Sequence, residues 1–153
     1  MHRTAPFVIV TLVAVAAFAF SSLAPGVSAE EPDKRAVSGV VADGVVAIYF
    51  HGNVRCATCK KIESYADEAV QSGFAEALED GALAWRVINV DDTENKHFIQ
   101  DFQLVTRSVV LAEYREGKVV RWENLDKVWQ LVRSKDQFVD YIQNETREFL
   151  GVG

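Results

Sequence analysis

The 153-residue chain predicts an α/β fold: a mixed central sheet of about four strands in the order βαβαββα, with helices on both faces. Three observations predict it. Residues 45–50 (VVAIYF) form a continuous apolar run rich in β-branched and aromatic side chains, the pattern of a central strand covered on both faces. A stretch with apolar residues at spacings of three and four follows, and then a second apolar run over residues 82–90; a strand–helix–strand unit of this kind demands a parallel pair. Later, two short apolar runs flank Arg115-Glu116-Gly117-Lys118, which reads as an antiparallel hairpin.

The elements follow in order. Residues 1–29 read as a secretory signal cleaved after Ala29. A short, weakly basic start precedes an uncharged run over residues 7–20, and Pro25-Gly26 leads to the small-x-small ending Val27-Ser28-Ala29. The apolar run is short for a membrane span, which takes about 20 residues; an uncleaved anchor is the alternative. Polar residues 30–43 read as a flexible lead-in and residues 44–150 as the folded domain. After the first strand, Gly52 and Asn53 break the pattern, and Cys56 and Cys59 open a helix. Its apolar stripe is Ile62, Ala66, Ala69, Val70, Phe74, Ala77 and Leu78, and Asp80-Gly81 ends it. The strand at 82–90 leads to a short helix with apolar contacts Phe98, Ile99 and Phe102, capped by Asp91 with Glu94 or Asp92 with Asn95. Residues 108–114 and 119–122 are the hairpin strands, and Gly117 takes a positive φ in their turn. A short apolar-periodic piece follows, and Ser134 to Gln137 (SKDQ) is a capping box. It opens a last helix along Phe138, Tyr141, Ile142, Glu145 and Phe149, whose final turns are expected to be partly exposed at Glu145.

Composition narrows the function. With 16 Lys and Arg against 22 Asp and Glu, the net charge is −6, which argues against a nucleic-acid partner. There is no Gly-rich phosphate loop and no nicotinamide or flavin fingerprint, so no bound cofactor is expected. Trp85, Trp122 and Trp129 read as packing residues. A monomer is expected.

The two cysteines form one C-x-x-C, Cys56-Ala57-Thr58-Cys59, open to four readings. A structural zinc site normally takes four Cys or His ligands, and beyond the signal only His51 and His97 join the two cysteines. A soft-metal clamp for Cu(I) is the second reading, since thiolates suit it. An inert staple is the third, but so short a loop removes little unfolded-state entropy. The fourth is thiol–disulfide exchange. Cys56 sits before the first turn, where free N–H groups and the helix dipole favour a thiolate, with Arg55 beside it. Cys59, one turn on and three residues before Ile62, faces the core as the resolving thiol.

With the strand before it and the hairpin YREGKVV after it, VVAIYFHGNVRCATCK resembles the thioredoxin-like superfamily over residues 45–150. More narrowly, YFHGNVRCATCKKIE and LVTRSVVLAEY resemble exported thioredoxin-like proteins described as nitrophenyl-compound nitroreductase subunits of arsenical-resistance operons. The resemblance implies a thioredoxin-like fold and an exported, periplasmic thiol–disulfide oxidoreductase whose redox centre is the reversible Cys56–Cys59 disulfide. It also implies protein disulfide or dithiol partners and a DsbD-like membrane electron donor. A Cu(I)- or As(III)-binding protein using the same dithiol is the alternative. The chain departs from the thioredoxin pattern in its surroundings. The dipeptide is Ala57-Thr58, and Arg55 replaces the usual tryptophan. The buried acid expected six residues before the first cysteine falls on Phe50, leaving His51 or Glu63 as candidates for proton transfer. The position of the family's cis-proline falls on Ser108 or Val109. A cis bond before a non-proline residue costs about 3–4 kcal/mol, so a trans loop of Thr106, Arg107 and Ser108 is expected to face the substrate.

Overall fold

The computed structural model describes residues 43–152. The signal and nearly all of the lead-in lie outside the described residues, and among the latter no helix is long and apolar enough to cross a membrane. The chain runs through β1 (Gly44–His51), α1 (Ala57–Gly73), α2 (Ala75–Glu79), β2 (Leu83–Asn89), a 3-10 turn (Thr93–Asn95), α3 (Phe98–Asp101), β3 (Ser108–Arg115), β4 (Lys118–Asn124), α4 (Val128–Leu131) and α5 (Lys135–Leu150). The four strands form one sheet in the order β2-β1-β3-β4. β1 pairs parallel to β2 and antiparallel to β3, and β3 and β4 form the antiparallel hairpin. The predicted mixed sheet with helices on both faces is present.

Residues 45–50 of β1 are apolar because the strand has neighbours on both edges and layers on both faces, and all six are buried. Successive side chains of a strand point to opposite faces. Val45, Ala47 and Tyr49 therefore enter one core with Ile62, Ala66, Val70, Phe138 and Ile142 from α1 and α5. Val46, Ile48 and Phe50 enter the other with Phe98 and Phe102 at α3. β4 is an edge strand, and it carries Lys118 and Arg121 with Val119 and Val120 exposed, as edges that avoid further pairing do. Glu116 (φ 52°) and Gly117 (φ 71°) are both left-handed, which makes the hairpin turn type I′, the hand that matches strand twist.

Local expectations fail in three places, each for a tertiary reason. The single helix expected from Cys59 to Asp80 is broken at Phe74. Gly73 lets α5 approach: a Cβ there would lie 2.8 Å from Gln143, whose amide donates to the Ala69 carbonyl and to Ser72 Oγ. Gln143 thus holds α5 against the end of α1. The capping bonds expected at Ser134 and at Asp91 or Asp92 are not made. Asp91 instead accepts from the Asn53 N–H at 2.7 Å, and Asn89 donates to Asp92. The final turns of α5 are partly exposed as expected, with Asn144 and Glu148 in solvent, but the stripe they bury runs through Thr146 and not Glu145. Thr146 and Phe149 are buried, and Arg121 lies over the Phe149 ring at 4.0 Å.

Phe102 touches Phe50, Phe98 and Trp122 and is 1% exposed. Phe102→Ala is expected to cost about 3–5 kcal/mol in urea unfolding, whereas Val120→Ala on the outer face of β4 should change stability by no more than about 0.5 kcal/mol.

Candidate active site

The C-terminal end of β1 delivers the chain to the redox turn. Cys56 is the N-cap residue of α1, extended at φ −72° and ψ 162°, and its Sγ accepts the Cys59 N–H at 3.0 Å. Cys56 and Cys59 are joined as a disulfide, with Cα atoms 5.0 Å apart. Cys56 is exposed and Cys59 is 4% exposed, so an approaching partner meets Cys56 first. No acidic residue lies in the first turn of α1, so the positive end of that helix is not neutralised from its own turn. Ala57 and Thr58 are exposed there. Among the described residues no group of three or more His, Cys, Asp or Glu is arranged to hold a metal ion.

Three of the sequence candidates meet beside Cys56. Arg55 forms an ion pair with Glu63, two turns along α1, and its other terminal nitrogen lies 3.4 Å from His51 Nε2. His51 Nδ1 lies 3.0 Å from the Gly52 carbonyl. Arginine only donates and a carbonyl only accepts. Both contacts therefore assign the same neutral tautomer, with the proton on Nδ1. Arg55 thus spends much of its charge on Glu63, and its effect on a Cys56 thiolate is smaller than its sequence position implies.

The loop before β3 lies at the same end of β1. Ser108 is buried, pairs with Phe50 in the sheet and has its hydroxyl 3.3 Å from the Thr106 carbonyl. No cis peptide bond occurs among the described residues, in line with the trans loop expected in the absence of proline. Arg107 is half-buried. Its carbonyl accepts from Trp129 Nε1 at 2.7 Å, and its guanidinium comes within 3.1 Å of where a Cβ on Gly52 would sit. The Asp91 carboxylate would be only 2.7 Å from that Cβ, so glycine is needed for both side chains to close over the start of the redox turn. A cavity of about 200 Å³ opens here, lined by Phe50, Ile99, Leu104, Val105, Asp91 and Arg107 among others.

Two residues of this neighbourhood were not singled out by sequence. Trp129 packs against the core as expected, and its indole also donates to the Arg107 carbonyl. Tyr49 is fully buried, and its hydroxyl donates to the Cys59 carbonyl at 2.9 Å. Burial pushes its phenol up in pKa, while the charges of Arg55 and Arg107 pull it back. Counting six residues back from Cys56 reaches Phe50, but the strand turns that side chain into the other core. Seven back reaches Tyr49, which points under α1. The alternation of β1, carried through to the turn, was the signal that would have found it.

No family model and no curated protein matches the chain. Solved structures similar to it include the oxidised thioredoxin from Plasmodium falciparum, at 14% identity over 67% of this chain and 88% of that one, with a TM-score of 0.40. Another is thioredoxin f2 from Chlamydomonas reinhardtii, at 19% identity over 63% of this chain and 82% of that one, with a TM-score of 0.36. The weight of the assignment lies on topology: a mixed β2-β1-β3-β4 sheet, helices on both faces, and a C-x-x-C disulfide where the central strand passes into α1. The chain has a thioredoxin-like fold. The comparisons do not support the narrower nitroreductase resemblance.

The Arg55–Glu63 pair sets the sign of a testable effect. In the reduced protein, Glu63→Gln releases the charge of Arg55 toward Cys56, and alkylation of Cys56 at neutral pH should speed up about twofold to fivefold. Arg55→Ala should slow it by a similar factor. Rates followed with a small alkylating reagent over a salt series would check both, since the difference should shrink as salt rises.

Proposed function

We propose that the chain is an exported thiol–disulfide oxidoreductase in which Cys56 attacks and Cys59 resolves. The observation that carries this reading is the asymmetry of the pair: an exposed sulfur at the N-cap of α1, and a buried one a turn later. Helix amides and the helix dipole favour a thiolate at the first position. In the reduced protein, the Cys56 thiolate attacks one sulfur of a partner disulfide, and the other partner sulfur leaves as a thiolate. Cys59 then gives up its proton and attacks Cys56 Sγ. The Cys56–Cys59 bond forms, the mixed disulfide breaks, and the partner departs with two electrons.

Residues 1–29 act as the export signal, and the soluble, monomeric product works in the periplasm or an equivalent exported compartment. Disulfides persist in such compartments, so turnover as a reductant needs electrons from outside; a DsbD-like membrane donor fills that place, and protein disulfides are the acceptors. The trans loop faces the partner through Thr106 and Arg107, while Ser108, expected to join them, is buried beneath it; Arg107 meets the partner's backbone or an anionic group.

The thiol–disulfide equilibrium of Cys56 and Cys59 in a glutathione series gives the direction of flow. A potential near about −270 mV marks a reductant, and one near about −120 mV a disulfide donor. Cys56→Ser is expected to lower disulfide-reducing turnover at least about 100-fold, and Cys59→Ser to accumulate a mixed disulfide with the substrate. Equal rates for wild type and Cys56→Ser would sink the redox reading. A protein that takes up one Cu(I) or As(III) per dithiol but exchanges with no disulfide would favour the metal-binding alternative.

A further inference from the structure

We propose that Tyr49 is a positioning residue for the resolving thiol, an inference that rests on the redox reading of Cys56 and Cys59. The Tyr49 ring fills the core beneath α1 together with Ile62 and Val109. Its hydroxyl leaves that core to donate to the Cys59 carbonyl at 2.9 Å. Cys59 is thereby held at both ends of its backbone, since its N–H donates to Cys56 Sγ at 3.0 Å. The anchor is rigid. Tyr49 lies in β1, where it pairs with Val87 of β2 and Val109 of β3, so its oxygen does not move with the redox turn.

When the disulfide opens, the covalent tether between the cysteines is lost and the Tyr49 hydrogen bond remains. It keeps Cys59 facing Cys56 and lowers the entropy cost of closing the disulfide again. By linkage, a hydrogen bond that favours closing the disulfide is itself favoured by closure to the same degree, so it contributes more to the oxidised form than to the dithiol. Removing the hydroxyl therefore loosens the reduced turn and weakens the oxidised one, and both changes favour the dithiol. A tyrosine that only filled space would act equally on the two forms.

Tyr49→Phe in the full chain keeps the ring and removes the hydroxyl. Disulfide formation against glutathione should become about tenfold less favourable, which corresponds to about 30 mV. Resolution of a preformed glutathione mixed disulfide on Cys56 should slow about tenfold, and urea unfolding should show a larger loss of stability in the oxidised than in the reduced form. Tyr65→Phe, on a half-buried tyrosine of α1, should leave the first two readouts at wild-type values. An equilibrium and a resolution rate within twofold of wild type overturn the proposal, as do equal stability losses in the two forms. A measurement on the wild type needs no variant: the Tyr49 hydroxyl proton should exchange slowly with solvent in both redox forms by NMR, and rapid exchange in the reduced form overturns the tether. If the wild type forms no glutathione-reversible disulfide, the redox reading falls and takes this proposal with it. Normal wild-type exchange with an unaffected Tyr49→Phe removes only the role of Tyr49.

Discussion

The burial of β1 on both faces is the constraint on which the molecule depends. Six consecutive residues, 45–50, are withdrawn from water, and each fully buried large side chain contributes about 1.5–3 kcal/mol. A strand in that position cannot slip by one residue without exchanging its two cores. Its register therefore decides which side chain stands under the redox turn. Tyr49 goes beneath α1 and meets Cys59, while Phe50 goes to the opposite core and packs against Phe98 and Phe102. The exposure difference between Cys56 and Cys59 has a similar origin. Cys56 caps the helix from outside, and Cys59 falls on the stripe that α1 buries against β1.

Electrostatics around the turn are set by pairs and not by single residues. Arg55 is next to Cys56 in sequence, but its guanidinium is shared between Glu63 and His51. The end of α1 contributes its dipole without a competing acid in the first turn. Arg107 and Asp91 reach the same turn from the loop before β3 and the loop after β2 because Gly52 leaves them room. The charge at the turn is the sum of these groups, and a part-buried network of this kind is less weakened by salt than an exposed pair.

Much of the fold was legible because it is written in local periodicity. The run 45–50, the stripe from Ile62 to Val70 and the turn at Glu116-Gly117 each carry their own physical signal, and each is found close to its expected place. The misses are of another kind. α1 stops at Gly73, where Gln143 of α5 closes in and donates to the Ala69 carbonyl. Ser134 opens α5 without a side-chain cap. The buried stripe of α5 runs through Thr146, a polar residue that a hydrophobic pattern passes over. These outcomes depend on contacts between segments distant in the chain, and no window of a dozen residues contains them.

For the candidate site the division is the same. The sequence by itself determined the chemistry available: two cysteines two residues apart, a strand before them, a helix after them, and no further thiol in the chain. It also determined that Cys59 faces inward, because helical spacing relates it to Ile62. Only the tertiary structure decided that Glu63 pairs with Arg55, that Trp129 holds the loop of Arg107, and that Tyr49 is the polar group beneath the turn. The physical reason is reach. Periodicity states which face of an element is covered, but the partner across that face is chosen by how the layers pack, where a shift of one strand residue exchanges a phenol for a phenyl ring.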